Sequence, residues 1–392
     1  MIFKSALRTI YFFSIILFIT SCSSTKTESV IVEEKPNVTY SSSSLSLLFA
    51  GDIMAHKNNY SVGNFDRIWE DILHISKSSD FAFANIEAPV NDKKEWSTYP
   101  QFNMHSPYVE AAIKAGFNVF SLANNHSNDW YLEGIKSTEN YFSNRSNIWA
   151  CGLRKKSNDN LTFKIIEKNG IKILFIAITE ILNRPDYASY IDYYPNNSKY
   201  RTKLFEQLTK ITNENSYDFF VMSIHTDEEE YKSKITESHK IFYNNLIEKY
   251  GVDVIWANHP HITKPWEIIN TNNKQSLIMY ANGNTISGQR TAPSLYKKHT
   301  ERDNTGDGVL IKVKIKKNTI TENNISKSNI TIKSVEPYFI TTYIMPNGQF
   351  VIKSVDNDLL HCLNRSGLTK WAEYIIERKK IFDSIKGKSK CL

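Results

Sequence analysis

Five short polar clusters in this chain each follow a run of apolar residues, and their side chains are those that hold metal ions and move protons. Leu47–Ala50 runs into Gly51-Asp52, Phe81–Ala84 into Asn85-Ile86-Glu87, and Val119–Ala123 into Asn124-Asn125-His126. Phe219–Ile224 runs into His225, and Val254–Ala257 into Asn258-His259-Pro260-His261. Hydrolysis of a phosphoester or a stable amide near neutral pH needs an activated water. A divalent ion supplies it by lowering the water's pKa, and a pair of ions clamps both the attacking and the leaving oxygen. Mn, Fe and Zn accept carboxylate, amide and imidazole ligands. The candidate ligand set is therefore Asp52, Glu87, Asn125, His225, His259 and His261, for one or two such ions. Glu87 and Asp52 are the candidate bridges, because a carboxylate spans two cations. His126, beside Asn125, is the candidate general acid, with Asn124 and Asp129 supporting its loop.

Each residue also has an ordinary explanation. Asp52 can cap a turn, Asn124-Asn125 can form a left-handed turn, and a lone histidine is more often on the surface than on a metal. Repetition at the same end of successive strand-like runs is what favours one shared site. The remaining histidines carry less. His56, four residues after Asp52, is a candidate to reach the site, and His105 is a candidate for its mouth. His74 and His239 read as structural or solvated, and His299 and His361 take no role. Of the cysteines, Cys151 reads as a small buried residue, and the spacing of Cys362 and Cys391 permits a bridge without demanding one.

These clusters need neighbouring strands to bring them together, and the pattern around them supplies strands alternating with helices, an α/β arrangement. Amphipathic spacing predicts helices over 65–77, 108–115, 133–143, 200–213 and 237–250, with Gly116 and Gly251 ending two of them. Strand runs lie at 172–179 and 276–280. After about Asp307, alternating segments at 309–316, 329–335 and 338–344 predict antiparallel strands closing one sheet edge. The stretch from Leu368 reads as helical and then strongly basic, from Arg378 to Lys390.

The N-terminus is of another kind. Lys4 and Arg8 precede an apolar run, Ile10–Ile19, and then Thr20-Ser21-Cys22. That order describes a signal peptide over 1–21, and Ile19-Thr20-Ser21-Cys22 resembles a bacterial lipobox with Cys22 as the lipidated residue. Residues 22–44 then read as the lipidated Cys and a flexible Ser/Thr-rich tether, 45–310 as the folded domain, 311–346 as a β extension and 347–392 as a helical basic tail. The expectation is an exported protein of the bacterial envelope, anchored to a membrane through Cys22. The 392 residues carry 48 Lys and Arg against 41 Asp and Glu, a formal charge of +7. Removal of Lys4 and Arg8 leaves +5, which modestly favours an anionic substrate. The cations are interspersed with acids, so no nucleic-acid groove is expected.

Gly51-Asp52-Ile53-Met54, Asn85-Ile86-Glu87, Ser121 through Asp129, His225 and His259-Pro260-His261 resemble, in order and spacing, the motifs of the CapA family. That family is the capsule and poly-γ-glutamate synthesis group, related to calcineurin-like metallophosphatases. Asn282-Gly283-Asn284 resembles its later Gly-Asn turn, and the resemblance covers about residues 45 to 290. It implies a layered αββα sandwich, helices outside two sheets, with a metal site at the strand ends. It also implies a role at the cell surface in making, anchoring or trimming an anionic polymer such as a polyglutamate or a phosphorylated glycan, alone or with a synthase. Three departures stand out. His225 is followed by Thr226-Asp227-Glu228-Glu229-Glu230 in place of an aromatic residue and a glycine, with Glu229 in the expected acidic position. Asn258 replaces a glycine, and Asp52-Ile53-Met54 lacks the histidine of an Asp-x-His start. These departures leave one reading beside that of a metal-dependent hydrolase: a non-catalytic polymer-binding or synthase-partner protein on the same fold.

Overall fold

A computed structural model describes residues 38–271, 274–290, 300–385 and 388–391. The expected signal peptide, Cys22, the first part of the tether and His299 lie outside the described residues. The chain enters on β1 (Val38–Ile53), followed by the one-turn helix α1 (Lys57–Tyr60), a 3-10 segment running into α2 (Leu73–Ser76), and β2 (Phe81–Ile86). Next come α3 (Ser106–Lys114), β3 (Val119–Ser121), α4 (Tyr131–Ser143) and β4 (Trp149–Cys151). The second half holds β5 (Phe163–Lys168), β6 (Ile171–Thr179), α5 (Ser198–Glu214), β7 (Phe219–His225), α6 (Glu237–Tyr250) and β8 (Val254–Asn258). Strands β9 (Trp266–Asn270), β10 (Gln275–Met279), β11 (Asn284–Ile286), β12 (Asp307–Glu322), β13 (Ile325–Ile344) and β14 (Phe350–Ser354) follow. Helices α7 (Asn357–Arg365) and α8 (Thr369–Ile385) and the strand β15 (Lys388–Cys391) close the chain.

These strands form two sheets packed face to face. One runs β14-β13-β12-β1-β2-β3-β4 with β11 on the end of β1, and the other β15-β9-β10-β8-β7-β6-β5. Strand alternation assigns the faces. Leu47, Phe49, Phe81 and Phe83 of one sheet meet Phe175, Phe219, Val221 and Trp256 of the other in a single apolar layer. The alternate residues Leu48, Ala82 and Ala84 pack under α3 and its neighbours, and Phe220, Met222 and Ile255 pack under α5 and α6. The result is the expected α/β sandwich with helices outside both sheets. Phe49 stacks on Phe83 at 4.6 Å, and the Trp256 indole N–H donates to Ala50 O across the layer at 2.7 Å. Truncating Trp256 to alanine costs about 4 kcal/mol through the cavity it leaves.

Because β1, β2 and β3 are parallel to one another, as are β7 and β8, their carboxyl ends each gather on one edge of a sheet. His225 shares the parity of Phe219 and Val221, and Asn85 that of Phe81 and Phe83, so both side chains belong to the inter-sheet face. The fold therefore delivers the polar clusters to the mouth of the sandwich.

The C-terminal third and the tether differ from the sequence reading. Residues 38–44 are strand, paired rung by rung with β12 from Val38↔Glu322 to Ser44↔Lys316. The expected break at 310/311 falls inside β12, which lies next to β1 within the sheet. The segments 329–335 and 338–344 are parts of one strand, β13. The basic stretch after Leu368 is partly packed into the protein: Arg378 is buried and its Nε lies 2.5 Å from Asp307 Oδ2, with Arg290 on the other carboxylate oxygen at 2.8 Å. Cys151 is buried and Cys362 is an exposed free thiol. Among the described residues no helix is long and apolar enough to cross a membrane.

Candidate metal centre

Asp52 reaches the inter-sheet face through a bulge. Between Phe49↔Phe83 and Asp52↔Asn85, β1 advances three residues while β2 advances two. The extra residue reverses the alternation and turns Asp52 onto the face that Phe49 occupies. Gly51 makes the bulge possible, because a Cβ there would overlap Gly283 O. The Asp52 N–H donates to that same oxygen at 3.0 Å. Gly283, at φ +70, turns the chain back under β1 and sends Asn284 alongside Asp52. Two sequence signatures far apart in the chain are thus one piece of local packing.

The other donors converge on the same point. Glu87 follows the last residue of β2, its N–H held by Ile53 O at 3.1 Å. His225 ends β7, and its Nε2 lies 2.9 Å from Asn125 Oδ1, 3.1 Å from His259 Nδ1 and 3.7 Å from Glu87 Oε1. His261 Nδ1 lies 3.2 Å from Asp52 Oδ2 and its Nε2 3.6 Å from Glu87 Oε1. Asp52–Glu87–His261 and Glu87–His225–His259 are both sets whose donor atoms lie within 4.8 Å of one another, and Glu87 belongs to each. Ligand atoms around an ion with bonds near 2.1 Å sit about 3.0–3.4 Å apart. The spacings found here are of that order, so the cluster has the dimensions of coordination-shell edges. The loop that supplies two of the histidines is strained: His259 sits at φ +104 and His261 at φ +57. Such conformations cost about 1–3 kcal/mol each and gather at functional sites.

Electrostatics make the same point. Glu87 is fully buried, Oε1 lacks a hydrogen-bond partner, and burial together with Asp52 and Glu230 pushes its pKa well above the carboxylate range. Burial and the neighbouring imidazoles hold His225 well below the usual histidine range and His259 at about 3. Burial also works against a charge on His261, but the Asp52 carboxylate outweighs it and raises the pKa. Neutral imidazoles with free electron pairs around carboxylates whose repulsion is uncompensated are what a divalent cation satisfies. The residues present fit one.

All six expected ligands are therefore brought together. Asn124 and Asp129 both bond to the loop that carries His126. Asn124 donates to Ile86 O at 2.7 Å and accepts from the His126 N–H. Asp129 Oδ2 holds His126 Nδ1 at 2.8 Å and accepts from the Phe102 N–H at 2.7 Å. His126 is near enough to help depress the pKa values of His225 and His259. His56 borders the site, its Nδ1 accepting from the Gly288 N–H at 3.0 Å. His105 does not line the mouth; it stacks on Trp96 and faces Lys94 O.

Three participants were not in the expected ligand set. Asn85 donates to Asp52 Oδ1 at 2.8 Å and approaches Glu87 Oε2 at 3.4 Å, so one amide bridges the two carboxylates. Asn284 Oδ1 accepts from His261 Nδ1 at 3.1 Å, so when the ring is neutral its free electron pair is on Nε2. The acidic residue that reaches the histidine loop is Glu230, grouped with His259 and His261, and not the exposed Glu229. Backbone bonds Thr226 N–H to Asn258 O and Tyr231 N–H to Pro260 O fold the acidic run back onto that loop. Asn258, as the last residue of β8, has no left-handed φ and so does not require a glycine.

The family model for the bacterial capsule synthesis protein PGA_cap matches residues 46–289. The chain is 26% identical to the capsule biosynthesis protein CapA of Bacillus anthracis over 275 residues, 66% of this chain and 64% of that one. It is 26% identical to the PGA biosynthesis protein CapA of Bacillus subtilis strain 168 over 286 residues, 70% of this chain and 72% of that one. It thus spans somewhat less than two thirds of the first relative. Among solved structures, a hypothetical protein from Thermus thermophilus superposes with a TM-score of 0.42 at 14% identity, covering 75% of this chain and 98% of the other.

Proposed function

Since the chain belongs to the bacterial capsule synthesis protein family, we propose that it acts in making, anchoring or trimming an anionic cell-surface polymer, as a hydrolase working with divalent ions. One observation carries this reading: Glu87, buried with an unpartnered oxygen, is common to both three-donor groups. Asp52, Glu87 and His261 would hold one ion, and Glu87, Asn125, His225 and His259 a second. Mn, Fe or Zn there supplies Lewis acidity and an ionised water near neutral pH. The chain's own residues do the rest. Asn85 orients Asp52 and Glu87 through its amide, and Asn284 fixes the His261 ring. Asp129 orients His126, whose Nε2 gives a proton to the departing oxygen or nitrogen. The substrate class is a phosphoester or a γ-glutamyl amide within the polymer, and the positive formal charge that remains once Lys4 and Arg8 are removed from the +7 of the whole chain modestly favours its approach. A synthase complex is the fitting partner, and a lipid on Cys22 would hold the exported protein at a membrane of the envelope.

The test is the metal content of the full-length chain, purified in detergent without chelator or affinity metal, beside an Asp52→Ala, His259→Ala double variant. One or two equivalents of Mn, Fe or Zn in the parent, lost in the variant, supports the hydrolase. A folded parent that takes up none of these ions on soaking overturns it in favour of a polymer-binding protein.

A further inference from the structure

Strand β1 has a second working end. Its first residues, Val38–Ser44, pair only with β12, because β2 joins at Leu47. Beyond its pairing with β12, the matching part of β13 is likewise unpaired, since β14 joins only at Ile340–Ile344. Among the described residues, a three-stranded arm about 20 Å long therefore projects from the sandwich. It ends in a two-residue hairpin at Asn323 and Asn324, both at positive φ, the geometry of a tight turn between twisted strands.

The two faces of this arm differ. The face continuous with the inter-sheet layer carries hydroxyls: Thr319 bonds to Ser328 and Thr321 to Ser326, each at 2.8 Å. The opposite face carries Tyr40, Ile320 and Ile325, exposed by 77%, 47% and 68%. Register places them together, Tyr40 opposite Ile320, and Ile325 one rung beyond Ile320 on the neighbouring strand. Lys316 and Lys327 lie on the same face, with Glu322 the single acid. Val38, where the chain enters, is opposite Glu322 at the very tip. The residues that precede it include the apolar run Ile10–Ile19.

We propose that the Tyr40–Ile320–Ile325 face of this arm docks on an anionic lipid surface. Aromatic and aliphatic side chains enter the headgroup boundary while lysines meet its charge. The inference rests on the anchoring proposed above only for the direction of approach, because the preceding residues arrive at the tip. Its consequence is geometric. Val38 and Asp52 are at opposite ends of one strand, about 46 Å apart along it, so the metal centre lies at the far end of the strand from the docked face.

The test uses full-length Ile320→Trp and Thr319→Trp variants, read against the seven native tryptophans of the parent. Each is mixed with phosphatidylethanolamine–phosphatidylglycerol vesicles containing brominated lipid. Docking predicts that the added emission at 320 is quenched several-fold more than that at 319. Association with equal or no quenching at both positions means tethering alone and overturns the inference while leaving the anchor intact. Absence of association overturns both. A concentration-dependent blue shift at 320 without lipid also overturns it, since a second copy then covers the face. Metal content should match the parent in both variants, so failure of the hydrolase reading is scored separately.

Discussion

Two buried clusters of histidine and acid sit on either side of the loop after β7, and they are electrostatic opposites. In the metal centre Glu87 has an unpartnered oxygen, and His259 is held at about 3 by burial and its neighbours. In the other cluster His239 lies between Glu180 at 2.7 Å, Asp227 at 3.2 Å and Glu228 at 3.4 Å. Arg201 pairs with Glu180 and Lys264 with Glu228. Burial works against a charge on His239, but Asp227, Glu180 and Glu228 outweigh it and raise its pKa to about 11. Both clusters have three donors close enough for an ion. In the second, a cation already meets each buried carboxylate, and a metal would have to displace an imidazolium and a guanidinium. Charge closure, more than residue type, separates a ligand set from a brace.

Replacing the shared carboxylate should break that contrast most sharply. Glu87→Gln is expected to abolish both bound metal and turnover, read by metal analysis and by hydrolysis of phosphoesters and γ-glutamyl amides. Its ion-free form should unfold in urea no earlier than the ion-free parent, because a buried carboxyl group with an unpartnered oxygen becomes an amide of the same shape. Glu180→Gln should do the reverse. It strands Arg201 and takes one of three acids from His239, so stability falls by about 3 kcal/mol while metal content stays that of the parent. Loss of metal in Glu180→Gln, or of folding in ion-free Glu87→Gln, would erase the distinction. Within the metal centre, His126→Ala should keep the metal and lower turnover about 100-fold, the size of a lost general acid.

The strand ends were legible because an apolar run closed by a polar cluster is a local pattern, and parallel strands carry such ends to one edge. The bulge at Gly51 was not, because its cause is Gly283 O, supplied from far along the chain. His239 could be read as structural or solvated but not as charged, since its three acids come from two separate loops. Residues 38–44 are serine-rich and look like a tether; only pairing with β12 makes them a strand. Arg378 is the instructive miss. Its place among basic residues suggests a solvated surface, yet it shares a helical stripe with the buried Ile375 and Phe382. Periodicity was the better guide than charge there.

The smallest effect is a pH dependence, and its sign follows from the brace. His239 binds its proton more tightly folded, at about 11, than a free imidazole does at 6.5. Its contribution is therefore complete below 6.5 and declines as pH rises toward 11. The stability difference between the parent and His239→Gln should shrink steadily over that range. Measuring both proteins at each pH removes the other titrations they share, including that of Lys264, whose own pKa burial depresses. A difference that stays flat across the range would mean that His239 is neutral in the folded protein. Glu180 and Glu228 would then lack the cation assigned to them between Arg201 and Lys264, and the second cluster would become a rival ligand set.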